Sequence, residues 1–195
     1  SSDGAIMFEM PSNSWEWTTP AFYDLDESIG IFIANGTWIY GIDQNGNDLE
    51  GWPVNILANI ISAPVLSDVD GDNDPEVIIA TTTGYIHILN LNGTPEILSQ
   101  IGPSLFEQYS SSMSIQDTDY DNDLEIVLGS TQNGLFNIDL KTEGSSENYW
   151  NMFRGNLHRT GLFESSHQLD INDNLVLPKE FKIDNVYPNP FNPTT

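Results

Sequence analysis

The sequence predicts an all-β chain assembled from a repeated four-stranded unit, and three observations predict it. An acidic stretch at residues 68 to 76, Asp-Val-Asp-Gly-Asp-Asn-Asp-Pro-Glu, recurs at residues 117 to 125 as Asp-Thr-Asp-Tyr-Asp-Asn-Asp-Leu-Glu. Short apolar runs flank both copies: Ala63 to Leu66 and Glu76 to Ala80 around the first, Ser112 to Ile115 and Glu125 to Gly129 around the second. Asn-Gly pairs at Asn45-Gly46, Asn92-Gly93 and Asn133-Gly134 mark tight turns, because both residues tolerate positive φ. No stretch carries the 3.6-residue apolar period of a helix.

A degraded copy comes first, from Thr19 to Ser28, and runs into Ile29-Gly30-Ile31-Phe32-Ile33-Ala34. It keeps Asp24 and Asp26 but lacks the downstream acids, so it is expected to hold no ion. Starting points at Asp24, Asp68 and Asp117 lie 44 and 49 residues apart, the period of propeller blades and other repeat arrays. Residues 1–163 therefore divide into three blades of a β-propeller, at about 15–55, 56–105 and 106–163.

In the first unit, strands are expected at Gly30 to Asn35 and Trp38 to Asp43, with an outer strand near Gly51-Trp52-Pro53-Val54. The second has strands at about 62–67, 76–82 and 85–90, a turn at Thr83-Gly84, and a poorly patterned outer strand after Asn92-Gly93. Its run Val77-Ile78-Ile79-Ala80 suits a strand covered on both faces. For the third, strands are expected at Glu125 to Ser130 and Leu135 to Leu140, with an outer strand near Tyr149 to Phe153.

Alternate acids on a loop that curls once can aim Asp68, Asp70, Asp72 and Glu76 at one centre, while Asp74 offers its carbonyl or carboxylate. Asp117, Asp119, Asp121, Asp123 and Glu125 occupy the same relative places. Like charges this close repel and raise one another's pKa unless a cation joins them. A hard, oxygen-seeking ion with six to eight ligands and flexible geometry fits best, which favours Ca²⁺ over Mg²⁺. Two loops imply two ions. The spacing departs from the EF-hand pattern, since Gly71 stands fourth, Tyr120 replaces it in the second copy, and strands rather than helices flank the loops.

The chain has 195 residues, no cysteine, and 29 acids against five bases, for a net charge of −24. Disulfides, thiol chemistry and cysteine-bound zinc are excluded. All five bases (Lys141, Arg154, Arg159, Lys179 and Lys182) lie toward the C-terminal end. So acidic a surface repels nucleic acid and anionic membranes, and no segment is long and apolar enough to span a bilayer. The first residues, Ser1-Ser2-Asp3-Gly4, carry neither Met nor a signal-peptide pattern, which predicts a chain processed or cut from a longer one. Three blades do not close a propeller; further blades upstream, or neighbouring subunits, are expected to complete it.

The loop Asp-x-Asp-x-Asp-x-Asp-x-Glu, on a repeat ending in Gly-Trp-Pro, resembles the FG-GAP and VCBS type of calcium-binding β-propeller found also in integrin α-subunit heads. The resemblance implies that Asp68, Asp70, Asp72, Asp74 and Glu76 hold one Ca²⁺, and Asp117, Asp119, Asp121, Asp123 and Glu125 another. Residues Tyr149 to Gly161 look like the segment that often follows the last such blade in bacterial secreted proteins. Residues 164–180 read as a polar linker. Residues 181–195 end in Tyr-Pro-Asn-Pro-Phe-Asn-Pro-Thr-Thr, which closely resembles the opening of a type A sorting domain of the type IX secretion system. That implies export through the type IX machinery to the cell surface or beyond.

Signatures of catalysis are missing: there is no Gly-x-Ser-x-Gly, no His-Glu-x-x-His and no phosphate-binding Gly-Lys loop. The paired carboxylates that could serve a glycosidase are assigned to metal by their spacing. His87 reads as structural and His158 as a surface group. Trp15, Trp17, Trp38, Trp52 and Trp150 read as packing residues, with a sugar platform as the alternative. The expectation is thus a non-enzymatic, calcium-binding structural or adhesion module of a secreted bacterial protein, with a protein or carbohydrate ligand. Two alternatives stand beside it: the accessory C-terminal region of a secreted peptidase or polysaccharide-degrading hydrolase, and the subunit of a self-assembling extracellular filament.

Overall fold

The computed structural model describes residues 6–12, 14, 17–26, 28–96, 112–131 and 134–163. The expected linker 164–180, the sorting segment 181–195, Trp15 and the boundary between the second and third units lie outside them. Among the described residues there is no helix, and three antiparallel sheets account for the named elements. The first sheet is β1 (Ala21–Asp24), β2 (Ile29–Asn35), β3 (Trp38–Ile42) and β4 (Val54–Asn55), in that order. The second orders β5 (Val65–Ser67), β6 (Glu76–Ala80) and β7 (Ile86–Leu89); the third orders β8 (Ser114–Gln116), β9 (Asp123–Ser130) and β10 (Gly134–Glu143). The all-β expectation and each unit's central strands agree with this. The opening strands of the units lie side by side, β5 touching both β1 and β8.

The second sheet is the middle layer, and strand alternation explains how. Val77 and Ile79 point into a core shared with Phe32, Ala34 and Ile39 of the first sheet. Ile78 and Ala80 point the opposite way, into a core with Ile115, Ile126 and Leu128 of the third. All four are completely buried, which is why this run is continuously apolar where a half-exposed strand would alternate. The Gly-Trp-Pro segment joins the first two sheets. Trp52 packs edge-on against Phe32, with ring centroids 5.3 Å apart, and its indole N–H donates to the Leu91 carbonyl at 2.7 Å. Its ring lies over Gly41, where a Cβ would come within 2.8 Å of it.

One expected outer strand runs out of the described residues, and another departs from expectation. In the second unit, Glu96 begins to pair with Ile88 (N to O, 3.0 Å), and the chain then leaves the described residues. In the third, residues 149 to 153 do not extend the sheet beyond β10. The Trp150 carbonyl instead accepts from Leu66 N–H at 3.0 Å, and the Asn151 carbonyl from Ile115 N–H at 2.9 Å. The segment thus lies between β5 and β8 and satisfies polar groups at two strand edges that would otherwise be unpaired. Trp150 is buried there, edge-on to Phe22 of β1.

Candidate metal centres

Each acidic loop hangs between the first two strands of its sheet, closed by a ladder pair: Ser67 opposite Glu76, and Gln116 opposite Glu125. Within that frame the leading aspartate organises the turn. Asp68 accepts from Gly71 N–H at 2.6 Å and from Asn73 N–H at 3.1 Å, one bond to each carboxylate oxygen. Asp117 does the same with Tyr120 N–H at 2.6 Å and Asn122 N–H at 3.2 Å. These bonds need left-handed backbone, and it occurs at equivalent positions: φ is +81° at Gly71 and +67° at Tyr120, and +74° at both Asn73 and Asn122. Asn tolerates this region and Gly is free in it, whereas Tyr120 is strained there.

The third acid caps the next turn, Asp72 accepting from Asp74 N–H at 2.8 Å and Asp121 from Asp123 N–H at 3.3 Å. The closing glutamate reaches back over the loop. Glu76 Oε2 accepts from Val69 N–H at 2.9 Å, and Glu125 Oε2 from both the N–H and the hydroxyl of Thr118. Both glutamates are buried, at 1% and 2% exposure.

Not all ten sequence-predicted ligands converge. In the first loop, carboxylate oxygens of Asp68, Asp70 and Glu76 lie within 4.8 Å of one another, while Asp72 and Asp74 stand outside the group. In the second, Asp119, Asp121, Asp123 and Glu125 form the group, and Asp117 stands outside it. Either group could hold a metal ion. The first copy differs for a countable reason. Asp24 pairs directly with Ile29, so the link between β1 and β2 is too short to wrap an ion, and Ile29 occupies the place of the closing glutamate.

Ionisation follows the packing. Burial pushes the Glu76 carboxyl up to about 8, and the neighbouring Asp70, Asp72 and Asp68 carboxylates add to this against the Val69 hydrogen bond. Burial also raises Asp70. In the second loop the hydrogen bond shared with Asp121 is the main cause lifting Asp123 to about 6, and Asp121 is lowered by the same bond. The Lys141 ammonium, paired with Asp139 and 3.9 Å from Asp123 Oδ2, opposes that rise. In the second loop, two buried carboxylate oxygens have no hydrogen-bond partner among the described residues: Glu125 Oε1 and Asp123 Oδ1.

Several participants escape the sequence. Thr118, Lys141, Gly144, Ser145 and Tyr149 all touch the loops. Thr118 carries a weak signal, a hydroxyl between two ligating positions. The others arrive from distant parts of the chain, and no local pattern announces them. Of the tryptophans, Trp52 and Trp150 are buried and Trp17 packs at a tilt against Tyr40, with ring centroids 5.4 Å apart.

No protein-family model matches this chain, and no curated protein does. Among solved structures it is similar to the crystal structure of the V. cholerae biofilm matrix protein Bap1, at 21% identity and a TM-score of 0.44. The match covers 63% of this chain and 24% of that one, so the chain spans about a quarter of that protein's length. What the fold and loops define is an all-β chain with two acidic groups able to hold a metal ion. No helix among the described residues is long and apolar enough to cross a membrane.

Proposed function

We propose that this chain is an arc of calcium-binding β-propeller blades that serves as a binding or adhesion module of a secreted, cell-surface bacterial protein, without catalysis of its own. One observation carries the reading. Glu125 is buried, its Oε1 has no hydrogen-bond partner, and that carboxylate stands with Asp119, Asp121 and Asp123. A carboxylate oxygen withdrawn from water and left unpaired costs several kcal/mol unless a cation meets it. An all-oxygen donor set of flexible loop carboxylates suits Ca²⁺, and the repeated hydrogen-bond frame extends the reading to the first loop. The side-by-side opening strands support the propeller arrangement.

Calorimetric titration of the purified chain tests it: two Ca²⁺ per chain are expected, with Mg²⁺ much weaker. Chelation should lower Tm by about 10–20 °C, since each site at a hundred times its Kd contributes about 2.7 kcal/mol and each kcal/mol shifts Tm by about 2–4 °C. Absence of binding, with a melt indifferent to chelator, would sink the reading.

A second observation favours completion of the arc by further sheets. One face of the first sheet carries half-buried Phe22, Ile31 and Ile33 beside buried Ile42, and with Phe8 and Trp17 they line an apolar groove of about 400 Å³. Light scattering distinguishes completion by neighbouring chains, which gives a multimer, from completion by upstream blades, which leaves a monomer.

A further inference from the structure

The two acidic loops are joined to each other. β10 ends at Glu143, which pairs with Asp123 at the edge of the second loop. The next residue, Gly144, donates its N–H to the Asn122 carbonyl of that loop at 3.3 Å. The residue after it, Ser145, exchanges both backbone hydrogen bonds with Asp68, the leading residue of the first loop, at 3.0 and 2.7 Å. Four residues on, the Tyr149 hydroxyl donates to the Asn73 carbonyl at 3.1 Å. Trp150 and Asn151 then bind β5 and β8, the strands that feed the two loops.

The fit is close at both ends of this strap. A Cβ on Gly144 would lie 2.5 Å from the Asp68 carbonyl oxygen, and one on Gly71 would lie 3.0 Å from the Glu143 carbonyl oxygen. One strap is therefore held by both loops, and its position depends on both.

We propose that the two loops take their divalent cations as a coupled pair, with residues 143–151 carrying the coupling, so that filling one loop raises the affinity of the other. The inference rests on the metal-binding reading above and adds a regulation to it. An acidic loop without its ion is spread by like-charge repulsion, and the carbonyl or peptide it offers to the strap moves with it. An ion in the first loop fixes the Asp68 peptide and the Asn73 carbonyl, and so seats Ser145 and Tyr149. A seated strap presents Gly144 to Asn122 and orders the second loop before its ion arrives. Ordering shared between two sites is met once, which gives positive cooperativity, and linkage makes the effect reciprocal. The charge of a bound ion acts the other way, by weakening the field that draws the second. At 0.15 M salt that field is screened over about 8 Å, whereas the covalent strap is not.

Calcium titration calorimetry at 0.15 M salt on the intact chain, Glu76→Gln and Glu125→Gln tests the coupling. Each isosteric variant disables one loop. The remaining site is expected to bind at least about fivefold more weakly than in the intact chain, by the same factor in both directions. Ser145→Pro removes the N–H that donates to Asp68 and should leave two sites that fill independently, at the affinities of the single-loop variants. Trypsin provides a readout that does not depend on that variant folding, because Arg154 and Arg159 follow the strap directly. Calcium should protect both bonds in the intact chain, and either glutamine variant should lose most of that protection. Remaining sites that keep the intact chain's affinity within about twofold would overturn the coupling while leaving calcium binding standing. Absence of binding in the intact chain would overturn the metal reading first.

Discussion

The two acidic loops share a hydrogen-bond frame and differ in what surrounds it. Equivalent residues turn at equivalent φ values, the leading aspartates accept the same two N–H groups, and the closing glutamates reach back to the same backbone position. The first loop, however, is gripped from outside by Ser145 and Tyr149, and Asp68 is 3% exposed. The second lies more open, with Tyr120 in solvent, Asp117 half-buried and a lysine at its rim. The frame is local and follows from the nine-residue motif. Its energetics are set by neighbours, so the same motif should respond differently at its two sites.

The largest difference is expected in the pH dependence of the chelated protein. Glu76 has a folded pKa of about 8, above its ordinary value of 4.5. Its contribution to stability is thus fully present below about pH 4.5, where both states are protonated, and is lost as pH rises toward 8, because only the unfolded state ionises freely across that window. At about 1.4 kcal/mol per unit of separation, Tm without calcium should fall on the order of 10 °C between pH 5 and pH 8. Glu76→Gln should flatten that slope, and Glu125→Gln should leave most of it. Saturating calcium should reverse the sign, since the ion needs the carboxylate. Scanning calorimetry across pH decides it; an unchanged slope in Glu76→Gln would remove burial of this group as the cause.

Next in size is the leading aspartate. Asp68→Ala removes the buried carboxylate that accepts two half-buried hydrogen bonds, from Gly71 and Asn73 N–H, and bonds of this kind to a charged group contribute about 1–3 kcal/mol. The equivalent Asp117→Ala exposes its two N–H groups to water, which takes over as acceptor, and should cost less than about 1 kcal/mol. Urea unfolding of the two chelated variants gives the comparison directly, and equal losses would mean that the grip on the first loop has no energetic content.

How much of this was legible follows the same division. The loops, the turns and the central strands are patterns within about ten residues, and the sequence shows them because each is a local solution to backbone geometry. The unbroken apolar run from Val77 to Ala80 marks a strand covered on both faces by its composition alone. Which residues lie beside a loop is a matter of long-range return. Tyr149 to Phe153 carry the aromatic and polar mixture of an outer strand, yet the vacant donors of Leu66 and Ile115 draw them to the other side of the sheet. Similarly, ten alternating acids suggest two sets of five ligands, while the groups that converge are Asp68, Asp70 and Glu76 in one loop and Asp119, Asp121, Asp123 and Glu125 in the other. Asp72 and Asp117 make the same turn hydrogen bonds as their counterparts Asp121 and Asp68, which do converge, so the difference lies outside the shared local frame.

A smaller effect should come from the fourth position. Tyr120 is 89% exposed and gains little from packing to offset its left-handed backbone, which costs on the order of 1 kcal/mol. Tyr120→Gly should therefore raise Tm of the chelated protein by roughly 2–4 °C. Gly71→Ala should lower it, for both strain and the nearby Glu143 carbonyl. A fall in both variants would show that the tyrosine ring, rather than the turn it sits on, matters to the second loop.

The smallest difference concerns Lys141, which stands at the rim of the second loop with its side chain 69% exposed. Exposed ion pairs contribute about 0–1 kcal/mol, so Lys141→Met should barely alter the melt. Its effect on the ion should be visible nonetheless. The ammonium competes with a cation for Asp123, and removing it should raise calcium affinity at the second loop about two- to threefold at low salt. Because no lysine or arginine pairs with the first loop among the described residues, its own affinity should move less, and only as far as the strap transmits the change. Raising the salt to 1 M shortens the screening length to about 3 Å and should erase the effect of the substitution at both sites. A gain in affinity that survives 1 M salt would mean that Lys141 restrains the loop through its left-handed backbone, at φ +59°, and not through its charge.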